Sequence, residues 1–410
     1  MAGLLPITAR VVDPQWAQRV ASPAHDSLSP SERRRYIEEH PHSYLTVTRS
    51  PEDLGPDTDG GKKHWTDAEA LEASRDALER LRRLGAFSPA DNERLFLYRL
   101  TDEFHSQVGV VGGLSVADYD RGHVRVHEQV KSSRAEHLAN HLAVLRVQSS
   151  PIALAHPPDP VLREALADAE QRLEPLLDFT AADGLHQQVW AIDEPALLEM
   201  IREHLSRHRL YLVDGHHRAA AASAVLAGPE TPGPKLMLCA VFSADELYNE
   251  AFHRCLDNID VDRFIADLEA RFAVRDAADI GAILRRGPDE LVLRAARRWL
   301  LVTVPPAPAE GNAENPLDGL EPVRLQRQIL GPILGIEASH PDDKLSYRHG
   351  IADRRDLEML ADAEEAAVWV MRPVPIAALM AVSDAGLVMP PKSTYFLPKV
   401  RSGVFLRSID

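Results

Sequence analysis

Residues 211–227, YLVDGHHRAAAASAVLA, join a short apolar segment to an alanine-rich one through five polar or special residues. The run Leu210 to Val213 is typical of a buried strand, and the alanine-rich segment that follows Arg218 is typical of a helix. A strand that passes into a helix through so tight a turn indicates an α/β architecture. We therefore predict a mixed α/β fold for the chain.

The residues of this turn are suited to holding an anion. The first turn of a helix has unpaired N–H groups and a partial positive charge. Gly215 has no Cβ and allows a ligand to approach the backbone closely. Arg218 adds a permanently charged fork of donors, and His216 and His217 add further donors. The pattern predicts a phosphate-binding turn.

Asp214 does not suit the binding of a bare anion, so its role is open at this stage. It could be a Mg²⁺ ligand, a base for a substrate hydroxyl, or a cap on the helix. The turn also has a purely structural interpretation, in which Asp214 caps the helix and the two histidines make structural hydrogen bonds. A metal site built on both histidines is weaker, because adjacent histidines in a turn rarely reach one ion.

Two further segments have the same polar character. RVHEQVKSSR, residues 125–134, and MPPKSTYFLPK, residues 389–399, concentrate the side chains of His127, Glu128, Lys131, Arg134, Lys392, Ser393, Thr394 and Lys399. A Lys-Ser-Thr turn can hold phosphate oxygens through one ammonium and two hydroxyl groups. Taken singly, each segment is typical of a solvated face or a cap. Together the three clusters favour a shared anionic ligand, on the premise that they converge in space.

Composition and charge exclude several classes of protein. The chain of 410 residues has 46 basic and 62 acidic residues, a net charge of −16 that disfavours non-specific binding to nucleic acid or anionic membranes. The two cysteines have no metal-type spacing and fit a reducing compartment. We find neither a secretory signal nor an apolar run of 18 residues. We expect a cytoplasmic protein with no membrane partner.

Periodicity predicts several elements around the turn. Residues 66–87 are amphipathic at helical spacing, with Thr66 as N-cap. Residues 43–50 look extended. Residues 94–101 and 106–116 alternate like paired strands, with a bend expected at Gly112 and Gly113. Residues 235–243 look like the closing strand of a β-α-β unit. Residues 323–336 predict a helix that ends near Gly331 and Pro332, which could form a homodimer contact.

The motifs as a set resemble those of a known family. The residues Asp214 to Arg218 after a strand, together with MPPKSTYFLPK near the C-terminus, resemble the bacterial and archaeal family called domain of unknown function 1015. The lesser motifs agree in order: HPHSYLTVTRSPED (40–53), VHEQVKSSRAEHL (126–138), SSPIAL (149–154), FHRCL (252–256) and LSYRHG (345–350). That family is related to the ParB/sulfiredoxin superfamily. The resemblance implies an N-terminal α/β region at 1–115, a ParB/sulfiredoxin-like nucleotide-binding core at 116–257, and a C-terminal α/β extension at 258–410.

The resemblance also implies a chemistry. ParB/sulfiredoxin proteins hold nucleotide phosphates on a Gly-x-x-Arg turn, and the related free-serine kinases, SerK, phosphorylate serine from ADP or ATP. By this resemblance we expect an Mg²⁺-dependent kinase that acts on serine or a related hydroxy amino acid. The candidate catalytic residues are Asp214, Glu128 and His217. Asp214 or Glu128 would take the proton or hold the metal, with Glu128 as the candidate base and Asp214 as the candidate metal ligand. The nucleotide phosphates would be bound by Gly215, His216, His217, Arg218, Lys392, Ser393, Thr394, Lys131 and Arg134.

Other functions of the same turn are weighed against the kinase. Sulfiredoxin has its reactive cysteine where this chain has His216, so sulfinic-acid repair is disfavoured. DNA partitioning is disfavoured because no helix-turn-helix module is evident and the net charge opposes it. A non-catalytic regulator that senses CTP or ATP would use the same turn without turnover. A different phosphate-handling enzyme is the third possibility.

Overall fold

The computed structural model describes residues 3–54, 66–90, 92–228, 235–278, 280–305, 315–337, 342–349 and 366–410. Its helices and strands confirm the predicted mixed α/β class. The chain divides into two compact units. Unit 1 contains the residues up to Val126, Val130–Leu247 and Pro398–Asp410. Unit 2 contains His127–Gln129 and Tyr248–Leu397.

Unit 1 contains a large sheet and a smaller one. Its strands are β1 (Leu4–Leu5), β2 (Arg10–Val11), β3 (Leu95–Thr101), β4 (Ser106–Ser115), β5 (Val124–Arg125), β6 (Val147–Gln148), β7 (Ile152–His156), β8 (Leu177–Thr180), β9 (His186–Ile192), β10 (Leu210–Asp214), β11 (Leu236–Ser243) and, near the C-terminus, β20 (Phe405–Ser408). Among the described residues, the large sheet has the order β5-β10-β7-β11-β4-β3-β9-β8, and β1 pairs with β4. A smaller sheet has the order β2-β20-β6.

The helices of unit 1 cover this sheet. They are α1 (Ala17–Val20), α2 (Pro30–Glu39), α3 (Asp67–Arg83), α4 (Val116–Asp120), α5 (Ser132–Leu145), α6 (Pro160–Arg172), α7 (Pro195–Arg207) and α8 (His216–Leu226). The core joins strand residues such as Leu154 and Leu212 to residues of α6, α7 and α8. Ala219 and Ala222 are buried in α8, which packs along α5. Small side chains at these positions allow the close approach of α8 to its neighbours.

The predicted helix at 66–87 is confirmed as α3, and its N-cap is confirmed as Thr66. The Thr66 hydroxyl accepts from the Glu69 N–H at 3.3 Å, and the Glu69 carboxylate accepts from the Thr66 N–H at 2.9 Å. This reciprocal pair is a capping box, which satisfies two backbone donors at once. The helix start is therefore set by its own local sequence.

The extended conformation predicted for residues 43–50 is wrong at its centre. Tyr44–Thr46 forms a 3₁₀ turn. The Ser43 hydroxyl accepts from the Leu45 N–H at 3.2 Å, and the Thr46 hydroxyl donates to the Ser43 carbonyl at 2.7 Å. Such local side-chain bonds to the backbone compete with strand pairing.

The bend predicted at Gly112 and Gly113 is also wrong, because both lie inside the continuous strand β4. A Cβ on Gly112 would lie 2.5 Å from Leu95 Cδ2, and one on Gly113 would lie 2.8 Å from Ile7 Cγ2. The glycines therefore allow close packing of neighbouring chain segments on β4. They do not mark a turn.

The predicted β-α-β unit around α8 is wrong in its pairing. Strand β7 lies between β10 and β11, antiparallel to β10 and parallel to β11. Every residue of β7 is buried, and it takes the hydrogen bonds that β10 and β11 would have exchanged. Strands from residues 1–115 and from 116–257 share the large sheet. The division of the chain at 115/116 stays a prediction.

Unit 2 contains a six-stranded sheet of order β14-β16-β15-β18-β13-β17 and the pair β12-β19. The strands are β12 (Tyr248–Glu250), β13 (Phe252–Leu256), β14 (Ala273–Asp276), β15 (Glu290–Ala295), β16 (Arg298–Thr303), β17 (Leu345–His349), β18 (Ala367–Val370) and β19 (Tyr395–Leu397). The helices are α9 (Val261–Glu269), α10 (Ile280–Leu284), α11 (Glu321–Leu325), α12 (Gly331–Leu334) and α13 (Ile376–Asp384).

The helix predicted at 323–336 continues past its expected end. A π-helical turn, Gln326–Leu330, connects α11 to α12, and the helix ends at Gly335 with φ +70°. Pro332 lies in the first turn of α12 and does not stop the helix there. No helix within the described ranges is both long and apolar enough to cross a membrane.

Candidate phosphate-binding site

The turn between β10 and α8 has a backbone conformation that favours glycine. Gly215 lies in the left-handed region, with φ 95° and ψ 30°, and α8 begins at the next residue. A Cβ at Gly215 would lie 3.0 Å from the Arg218 guanidinium carbon. The positive φ therefore favours glycine, and a methyl group here would force the Arg218 guanidinium, which folds back over the turn, to shift by a few tenths of an ångström.

Arg218 is anchored by three acceptors. Its Nη1 donates to the carbonyl oxygens of Ser150 and Pro151, at 3.0 and 2.7 Å. Its Nη2 donates to Asp214 Oδ2 at 2.5 Å. The two carbonyls belong to the segment just before β7, so the arginine ties the turn to the neighbouring strand. The side chain remains 20% exposed, which leaves it accessible to a ligand.

Asp214 is held by two cations. Arg218 engages Oδ2, and Lys399 Nζ donates to Oδ1 at 2.5 Å. Lys399 lies in the C-terminal motif but is not among the predicted phosphate-binding residues. It is 185 positions from Asp214 along the chain. Its place in a Pro-Lys motif is the only signal in the sequence, and that signal does not specify a partner.

These contacts do not fit Asp214 as a metal ligand. Both of its carboxylate oxygens accept from cationic donors, which would compete with a Mg²⁺ ion for the same lone pairs. Among the residues that the structure describes, no group of three or more His, Cys, Asp or Glu side chains is arranged to hold a metal.

A second helix begins beside the turn. The Lys131 backbone N–H, at the N-cap of α5, donates to His217 Nε2 at 3.2 Å. Because Nε2 accepts this bond, the neutral imidazole has its proton on Nδ1. The contact brings the N-termini of α5 and α8 together. The side chains of Lys131 and Arg134 are exposed in this region.

His216 is the only buried residue of the Asp214 to Arg218 turn, with 3% of its surface exposed. Its expected role in phosphate binding stays a prediction.

The Lys-Ser-Thr segment belongs to unit 2. Lys392 has a φ of 56°, and its ammonium lies 5.3 Å from the centroid of the Phe252 ring. The Ser393 hydroxyl donates to the Pro390 carbonyl at 2.7 Å. Thr394 shares a 3.2 Å hydrogen bond with His127 Nε2. His127 and the adjacent Glu128 belong to unit 2 as well. Its convergence with the turn of unit 1 stays a prediction.

A cavity of about 260 Å³ in unit 1 does not coincide with the turn. It lies against α6 and includes His156, at the end of β7, and the charged side chains of Arg99, Arg163 and Glu170. Asp214 pairs with Ala153, near the start of the same strand. The cavity and the Asp214 to Arg218 turn therefore lie at opposite ends of β7.

Several solved structures are similar to this chain at low sequence identity. Among solved structures, a free serine kinase in complex with AMP is 13% identical, with a TM-score of 0.37 over 72% of this chain and 91% of that one. A conserved hypothetical protein from Pyrococcus furiosus is 12% identical, with a TM-score of 0.37 over 73% and 95% of the two chains. C-terminally truncated SbnI from Staphylococcus aureus is 12% identical, with a TM-score of 0.36 over 70% and 82%.

No curated protein sequence matches the chain. The model of a family described as protein of unknown function, DUF1015, matches residues 4–323. This range covers more than three quarters of the chain and includes the Asp214 to Arg218 turn. The protein therefore belongs to the DUF1015 family.

Proposed function

We propose that the protein is a small-molecule kinase that transfers a phosphoryl group from ATP or ADP to the hydroxyl of serine or a related hydroxy amino acid. The observation that carries this proposal is the β10–Gly215–α8 turn, where a helix N-terminus, a glycine and Arg218 come together. These are the elements of a phosphate-binding turn. The resemblance of the motifs to free-serine kinases supports the choice of acceptor.

The chemistry requires positioning and charge neutralisation. The acceptor oxygen attacks the terminal phosphorus, the new O–P bond forms, and the P–O bond to the departing nucleotide breaks. First-turn N–H groups of α8 and the Arg218 guanidinium would neutralise the phosphate charge. The proton of the acceptor hydroxyl would pass to a carboxylate, for which we propose Glu128.

The segments of unit 2 have a separate place in the proposal. Lys392, an exposed residue, would supply a further cation to the nucleotide or the acceptor. The Ser393 hydroxyl donates to the Pro390 carbonyl, and Thr394 shares a hydrogen bond with His127. The role of these two residues would therefore be to shape the turn that presents Lys392.

Phosphorus NMR tests the proposal. Purified protein is incubated with ATP or ADP, Mg²⁺ and a panel of hydroxy amino acids. We expect a new phosphomonoester signal. Arg218→Ala should lower the rate at which it appears at least about 100-fold, because charge neutralisation at the transferred group is lost. Glu128→Gln should lower the rate by a similar factor and leave nucleotide binding intact.

The matched control is Arg172→Ala. Arg172 is also an ion-paired arginine, but it is exposed on α6 and pairs with Asp168 and Glu194. Its variant should turn over like the wild type. Tight nucleotide binding that depends on Arg218, with no phosphomonoester from any acceptor, would contradict the kinase and support a nucleotide-binding regulator.

A further inference from the structure

Lys399 contacts the turn through Asp214 but is not among the residues that the motifs predict to bind phosphate. We propose that Lys399 binds phosphate at the N-terminus of α8, and that Asp214 is a positioning residue that holds Lys399 and Arg218 in place. The assignment rests on the proposed function to the extent that the phosphate is that of the nucleotide.

Asp214 lies between Lys399 and Arg218 and contacts both. The Asp214 carboxylate bridges two cations, with one oxygen on Lys399 Nζ and the other on Arg218 Nη2, each at 2.5 Å. A carboxylate shared in this way fixes both cations at one point. That point is the first turn of α8, an 11-residue helix whose N-terminus is at Gly215.

The cluster has a net positive charge, because Lys399 and Arg218 are two cationic side chains that share one carboxylate. The partial positive charge of the helix N-terminus adds to it. Asp214 alone would repel phosphate, but in this arrangement its charge is more than compensated. This resolves the presence of an acidic residue in a phosphate-binding turn.

Contacts of the neighbouring residues hold the backbone around Lys399. The buried Gln107 side chain donates to the carbonyl of Pro398, directly before Lys399, at 2.9 Å. Arg401, two residues after Lys399, pairs with Asp183 at 2.6 Å. The backbone is thus held on both sides of the lysine. The Lys399 side chain is 13% exposed and Asp214 is 21% exposed, so the pair is partly shielded yet accessible.

The proposal is tested by calorimetric titration with inorganic pyrophosphate in the presence of EDTA. We expect Lys399→Met to lower the affinity at least about tenfold, and Lys399→Arg to stay within about threefold of the wild type. Lys235→Met is the matched control. Lys235 donates to the carbonyls of Ala227 and Gly228 at the opposite end of α8, so its loss should leave pyrophosphate affinity unchanged.

Asp214→Asn separates a positioning residue from a metal ligand. A positioning residue predicts that adding Mg²⁺ changes pyrophosphate affinity by the same factor in Asp214→Asn as in the wild type. If Mg²⁺ raised the pyrophosphate affinity of the wild type alone, Asp214 would be a metal ligand and its assignment here would be overturned. Wild-type affinity in a folded Lys399→Met variant would overturn the assignment of Lys399.

Folding and turnover are controlled separately. If Lys399→Met does not fold, Lys399→Gln keeps a hydrogen-bond donor towards Asp214 without the charge, and the same loss of affinity is expected. Pyrophosphate binding that depends on Lys399, with no phosphoryl transfer to any acceptor, would refute the kinase and leave this assignment standing. Transfer by Lys399→Met at the wild-type rate would refute the assignment and leave the kinase standing.

Discussion

At Gly215, one residue satisfies two requirements that have different consequences. The positive φ needs a residue that tolerates the left-handed region, and the folded-back Arg218 needs a residue without a Cβ. The first requirement concerns stability, because a non-glycine residue there costs about 1–2 kcal/mol. The second concerns the site, because a methyl group would displace the guanidinium.

The substitution Gly215→Ala therefore has a predicted effect on both properties. We expect a decrease of about 1–2 kcal/mol in the free energy of unfolding, measured with urea. We also expect a loss of at least about tenfold in affinity for ADP, because Arg218 is displaced. Gly122→Ala is the matched control, since Gly122 also has a positive φ, of 72°, but a Cβ there would meet no heavy atom within 4 Å. It should lose stability and keep ADP affinity. Equal affinities in the two variants would contradict the role of the Arg218 contact.

Among the elements, helix α5 is the one whose position is most directly tied to the site. Its N-terminus contacts His217 through Lys131, and it packs along α8. Near its other end His141 Nε2 lies 2.8 Å from the Val47 carbonyl, to which it donates. Burial, aided by the nearby His137 and His25, lowers the pKa of His141 to about 4, although the bond to Val47 opposes this shift.

This pKa predicts a dependence of stability on pH. In the unfolded chain His141 has its ordinary pKa of 6.5, whereas the folded protein keeps the ring neutral down to about pH 4. Between these values the unfolded state binds more protons, so stability falls as the pH is lowered. From pH 7 to pH 5 we expect His141 to account for a loss of about 2 kcal/mol. Urea unfolding at both pH values should show a smaller loss in His141→Gln, which can still donate to Val47. An unchanged loss in that variant would contradict the prediction.

For the whole molecule, the two units each contain one buried cysteine. Cys239 lies in β11 of unit 1 and Cys255 in β13 of unit 2. Burial raises the pKa of both thiols, that of Cys255 to about 11. The thiolate is the reactive form, so both groups are chemically silent in the folded protein.

We therefore predict slow alkylation of both thiols in the native protein. At pH 8 a thiol with a pKa near 11 is ionised about 100-fold less than an ordinary one, and its reaction with iodoacetamide should be slowed at least as much. Mass spectrometry of peptides from a urea series would follow the two sites separately, each reporting the unfolding of its own unit. Rapid labelling of either cysteine without urea would contradict the prediction.

The local features of this protein are encoded by residues that are close together in its sequence. The capping box of α3, the passage from β10 into α8 and the motifs that place the chain in its family depend on residues a few positions apart, whose interactions are set by backbone geometry. Tertiary structure alone decided which strand lies between β10 and β11, why Gly112 is needed in β4, and that His216 is buried. It also decided that Asp214 is shared by Arg218 and Lys399. These features depend on which distant segments pack together, and no local periodicity or spacing encodes a contact between residues 185 positions apart.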